Sequence, residues 1–152
     1  MRILLIRGIT IGIVCACACA GVAFWFRHVR LVEYARTQLY LVGKALAAYV
    51  AESGGQYPPD APSLRELGVV RDAEPECVRV IAVDVDGYPS WDAHAPFPVQ
   101  LDQFDIAWGG VPLDGQGLMV RSRAYPGALD DTARRISQEL NRLAHDVQSR
   151  QN

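Results

Sequence analysis

The first 32 residues contain no acid, and the nineteen positions from Gly8 to Phe26 carry no charge of either sign. A stretch so depleted has no polar face to turn towards water, which excludes an ordinary surface helix there. Lysine is nearly absent as well: Lys44 stands alone beside fourteen arginines, a bias of genome composition more than of function. The patterns that betray common catalytic sites are also missing, with no GxSxG, no HExxH, no phosphate loop and no dinucleotide fingerprint. No CxxC pair occurs. Cys15, Cys17 and Cys19 alternate with alanine inside the apolar run and Cys77 stands apart, so neither a disulfide framework nor a thiolate metal cluster is expected. At helical spacing the three fan around the axis and read as small packing residues. Cys77 with His94 and Asp92 is the best constellation for an imidazole-activated thiol. Cys77 falls on a predicted buried strand and His94 in a proline-rich loop, WDAHAPFPV, so the chain reads as a non-enzyme.

Charge divides by position. Arg2, Arg7, Arg27 and Arg30 precede every acid, whereas between Asp60 and Asp114 eleven Asp or Glu face only Arg65, Arg71 and Arg79. Such a surface repels a phosphate backbone, so no nucleic-acid partner is expected. With the apolar segment set aside, roughly 120 residues remain, enough for one small domain with a single core.

At helical rise, Gly8 to Phe26 spans about 28 Å, close to the roughly 30 Å hydrocarbon core of a bilayer. Trp25 and Phe26 end the run and Arg27, His28 and Arg30 follow at once, as an interfacial belt and its anchors do. A transmembrane helix at 8–26 is the expectation, behind a short basic tail or leader at 1–7. Two other fates fit the same letters: cleavage by signal peptidase after Ala18-Cys19-Ala20, or lipid attachment at Cys17. Arginines flank the run nearly equally; a cytoplasmic N-terminus is the expected orientation.

Beyond the anchors, Ala35, Leu39, Val42, Leu46 and Tyr49 recur at steps of four and three. This predicts an amphipathic continuation over 27–55, without a turn signal from the membrane run onwards, and a stop at Gly54-Gly55. Then comes QYPPDAPSLRELGVV, with a Tyr-Pro and a short leucine-bearing helix. A membrane helix running into an amphipathic one, then glycine, Tyr-Pro and a short helix, resembles the type IV pilin-like proteins, most nearly the major pseudopilins of type II secretion. Tyr49, Gly55, Tyr57, Pro58, Leu64 and Leu67 hold the corresponding places.

That resemblance implies a prepilin-type leader ending at Gly8, a mature chain starting at Ile9, and a helix exit fixed by Gly55, Tyr57 and Pro58. Ile9 stands where the family has phenylalanine, and Ile13 where it has a glutamate that pairs with a neighbouring subunit's amino terminus. The resemblance further implies a bacterial inner-membrane protein with a periplasmic domain. Its partners would be membrane lipid and other pilin-like or secretion-system subunits.

The acidic segment 56–126 reads as α+β. CVRVIAVDV at 77–85, Phe104 to Trp108 and Leu118 to Ala124 are strand candidates, predicting an antiparallel sheet of about three strands with the long helix laid across one face. The family binds calcium in a comparable late loop; the resemblance would place it at Asp102, Asp105 and Asp114, with Asp84, Asp86 and Asp92 as a second set. Without that ion no cofactor is expected. Residues 127–152 predict a C-terminal helix, capped by Asp130 or Asp131, whose stripe Ala133, Ile136, Leu140, Leu143 and Val147 docks on its own domain.

Overall fold

A computed structural model of the chain describes residues 2–74, 77–81, 85 and 98–151, with side chains at these positions except at 2–14 and 74. The protein is α+β. Helix α1 (Arg2–Glu52) and α2 (Ala61–Glu66) precede strands β1 (Val70–Glu74) and β2 (Cys77–Val80); β3 (Phe104–Ile106), β4 (Val120–Ser122) and helix α3 (Pro126–Gln151) follow. Two compact units divide the chain, Met1–Tyr34 and Ala35–Asn152.

The first unit is helical, and its described side chains are exposed except Val29 and Val32, which are half-buried. Phe24 is 74 % exposed, Trp25 59 % and Phe26 56 %, with Trp25 and Phe26 in edge contact at 5.2 Å between ring centroids. Large apolar groups with no protein neighbour to cover them belong in an apolar solvent, and α1 is long and apolar enough to cross a membrane.

In the second unit, the remaining part of α1 is a core helix. Leu39, Leu41, Val42, Ala45, Leu46, Ala47, Ala48 and Val50 are all buried. At 100° per residue these positions cover well over half the circumference, so the expected single stripe is corrected to a helix enclosed on most sides. Tyr49, one of the stripe residues, is only half-buried. Small residues that a stripe of large apolar side chains does not score are buried too: Gly43, Ala45, Ala47 and Ala48.

The helix stops as a Schellman motif. Gly55 N–H donates to Val50 C=O at 2.8 Å and Gly54 adopts φ +73°, satisfying carbonyls that a helix end would otherwise leave bare. Helix α2 begins with Asp60, whose carboxylate accepts from the Ser63 N–H at 3.0 Å and from its hydroxyl. These two bonds hold the Asp60 carboxyl below its usual range. Leu64 is the residue α2 buries.

The expected single sheet is two separate antiparallel pairs, β1–β2 and β3–β4. Strand β1 had no counterpart in the sequence reading, because VRDAE carries charge where a strand signal needs alternation. Its pairing comes from β2, with Val70 opposite Val80 and Asp72 opposite Val78. Val99 bridges to Val78 with reciprocal bonds of 2.8 and 2.7 Å. The strand expected over 77–85 is assigned to Cys77–Val80, and residues 82–84 lie outside the described set. The other two are shorter than expected, at three residues each, because the chain turns at Trp108–Gly110 and at Arg123–Tyr125.

Helix α3 starts at Pro126, not at Asp130 or Asp131. Proline is suited to the first helical turn, where its missing N–H leaves nothing unpaired. Of the predicted stripe, Ala133, Ile136, Leu140 and Leu143 are buried and Val147 is half-buried; Leu129, outside that stripe, is buried as well. Buried Ser137 completes the join, accepting from the Met119 N–H at 2.8 Å and donating to the Ala133 carbonyl at 2.8 Å. This removes the cost of an unpaired buried amide ahead of β4.

Candidate functional site

Three groups of residues were singled out on sequence, and they meet different fates. Gly55, Tyr57 and Pro58 form a compact latch. The Schellman turn delivers Gly55 against α3, where Gln148 Nε2 donates to its carbonyl at 3.1 Å. Tyr57 Oη donates to Asn141 Oδ1 at 2.8 Å, and Asn141 Nδ2 donates to Gly117 C=O at 3.2 Å. Pro58 C=O accepts from the Gly109 N–H at 2.8 Å. A side chain at Gly110 would lie 3.0 Å from the Tyr57 ring, so that loop passes the ring at close range. One short segment thus ties the end of α1 to α3 and to the 109–117 loop. The partners Asn141 and Gln148 escaped sequence reasoning, because polar residues on the margin of a helical stripe look like solvated surface.

Burial pushes the Tyr57 phenol up to about 12. The folded state therefore holds that proton more tightly than the unfolded chain, where tyrosine titrates near 10. Its contribution to stability is complete below about pH 10 and is lost as pH rises towards about 12. Tyr57→Phe should destabilise the domain by about 0.5–1.5 kcal/mol at neutral pH through the lost bond to Asn141. In urea titrations the wild-type advantage should shrink across that alkaline window, and a constant difference would refute the assignment.

The acidic residues Asp102, Asp105 and Asp114 occupy the 3-10 turn before β3, β3 itself and the 109–118 loop. Asp105 accepts from Arg123 Nε at 2.6 Å and lies 3.5 Å from an Arg121 nitrogen. Arg123 also donates to the Asp102 carbonyl at 2.9 Å. The Asp105 carboxylate is thus occupied by two cations rather than presented to a third. Asp114 accepts from the Gln116 and Leu118 N–H groups, both at 2.9 Å, and so shapes its own loop. The bond from Leu118 is the chief cause that holds its carboxyl below the usual range. Among the described residues no three His, Cys, Asp or Glu side chains stand together as a metal site. Asp84, Asp86 and Asp92 lie outside the described set.

The hydrogen bond and charge of Arg123 keep the Asp105 carboxyl below its ordinary value. A depressed carboxyl contributes stability above the unfolded value, about pH 3.9 for aspartate, and loses it as pH falls through the native one. Asp105→Asn should therefore cost about 0.2–1 kcal/mol at pH 7, the range for partly exposed pairs. The gap should close below about pH 4 in chemical denaturation; a gap that persists in acid would mean that charge is not its source.

Gly8 and Ile9 lie in the helical run of α1, with side chains outside the described set. Cys77 is buried on β2, away from solvent, while Asp92 and His94 are not described. Cys15, Cys17 and Cys19 are exposed thiols in the apolar helix. No family model, no curated protein and no solved structure matches this chain.

Proposed function

We propose that the protein is a non-enzymatic, single-pass membrane subunit of a pilin-like assembly, of the type II secretion or type IV pilus kind. In this reading α1 anchors it in a bacterial inner membrane, with the α+β domain on the periplasmic side. The observation that carries the reading is the order of elements around α1. A helical segment whose run from Gly8 to Phe26 is uncharged, with exposed side chains from Cys15 on, precedes an enclosed core helix, which ends in glycine and is fastened by a Tyr-Pro latch. Gly8 and Ile9 would be the processing point, and the Ile11 to Phe26 run would pack with lipid and with like helices. No cofactor is required.

A second reading, a membrane-tethered binding module, is favoured by two features. Ile13 lacks the carboxylate that the assembly contact needs, and the chain carries a 26-residue terminal helix that the pilin pattern does not include. Intact-mass spectrometry of the protein from native membranes, with cross-linking at exposed positions of the apolar helix, separates the two. A chain starting at Ile9 and cross-linked to pilin-like subunits supports the assembly reading. A chain starting at Met1, without such products, gives the tethered module.

A further inference from the structure

Arg71 and Arg79 stand directly opposite each other in the β1–β2 pair, and both are exposed. Residues opposite one another project to the same face of the ladder, and like charges so placed destabilise it. Neither guanidinium is engaged by an acid among the described residues. The acid beside Arg71, Asp72, is on the alternate register position and is held by Arg65 at 2.7 Å. Packing gives no reason for this repulsive pair.

Both arginines, with Ala73, Val80 and Ile81, line an open groove of about 530 Å3 that Asp72 also borders. We propose that Arg71 and Arg79 form an oxyanion site that takes the phosphoryl group of a phosphate-bearing ligand.

The chemistry selects phosphate over carboxylate. A carboxylate carries one negative charge, so between two guanidinium groups it leaves one cation uncompensated. A phosphate presents enough acceptor oxygens for both groups, and its double charge offsets both cations. Ala73, Val80 and Ile81 supply an apolar wall for the organic part. The surrounding acidity works against a polyanion such as nucleic acid, whose charge is felt over many residues. It opposes a single phosphate much less, because screening confines that interaction to about 10 Å. The phosphate could belong to a soluble monoester or to a phospholipid headgroup, and the recognising groups are the same.

The test uses the full chain in phosphatidylcholine nanodiscs. Inorganic phosphate is titrated against chloride at matched ionic strength, with the arginine Nε–H signals and thermal unfolding as readouts. Saturable shifts at Arg71 and Arg79 are expected, weakened at least tenfold in the Arg71→Gln/Arg79→Gln variant and partly retained in Arg71→Lys/Arg79→Lys. In phosphate-free buffer the glutamine variant should melt no lower than wild type, since a repulsion has been removed; this also establishes that it folds. A second arm replaces free phosphate with phosphatidate in the nanodisc. Shifts of the same signals there assign the headgroup as source, whereas a response to free phosphate alone assigns a soluble ligand. Signals unmoved in both arms, or equal stabilisation of wild type and glutamine variant, would overturn the proposal.

Discussion

Gly55→Ala should destabilise the folded domain by about 2–5 kcal/mol, the sum of a left-handed backbone penalty of about 1–2 and an overpacking cost of about 1–3. Gly55 has φ +86°, and a Cβ there would lie 2.7 Å from the Ala144 carbonyl oxygen and 2.6 Å from Gln148 Cγ. The side chain can swing aside, but the carbonyl belongs to the backbone of α3. Relief therefore requires the helix or the latch to move, breaking the bond from Gln148 to Gly55 and straining that from Tyr57 to Asn141. Against a typical stability of about 5–15 kcal/mol this is a large loss. Gly54 is the internal control. It too has positive φ, at +73°, but its added Cβ would meet only the end of the Gln151 side chain, at 2.9 Å. Gly54→Ala should cost only the backbone term, about 1–2 kcal/mol. Urea titrations of both variants in detergent, followed by near-ultraviolet circular dichroism, decide the matter. Equal midpoints would show that the approach of α3 to Gly55 does not constrain the fold.

That pair of glycines also marks how far the sequence could be followed. Helices were legible wherever the signal was local: the apolar run, the glycine stop of α1, and the α3 stripe from Ala133 to Leu143 all match the structure. The boundary of α3 was misplaced because Asp130 and Asp131 look like caps, while the actual start depends on Pro126. The sheets were poorly legible for a physical reason. Three-residue strands such as Phe104–Ile106 hold no periodicity, and β1 owes its conformation to bonds with β2 and not to its own residues. In the latch, Tyr57 and Pro58 stood out, but their partners are 84 residues away for Asn141 and on the 109–117 loop for Gly109. Nothing local in the sequence announces such pairs. The same holds for Asp105, whose ion pairs with Arg121 and Arg123 join residues distant in sequence.

The apolar segment carries the second large prediction. If it spans a bilayer, Ala18→Arg places a charge near the middle of the 8–26 run, where arginine costs about 2.5–3.5 kcal/mol for insertion as a helix. At 1.4 kcal/mol per tenfold change, the equilibrium constant for membrane integration should fall about a hundredfold. The described side chains from Cys15 to His28 are exposed, so no packing within the protein compensates for the charge. Arg27→Ala is the comparison. It sits at the predicted interface, removes a charge instead of adding one, and should leave integration almost unchanged. The readout is the fraction of full-length protein resisting alkaline extraction, with the folded state of residues 35–151 checked by protease resistance. The same substitution separates a span from a cleaved export signal: a signal processed after Ala20 leaves a mature domain that is soluble in wild type as well. Extraction-resistant wild type with a released, folded Ala18→Arg variant supports the span. Wild type released by alkali would remove the membrane anchor from which the assembly reading starts.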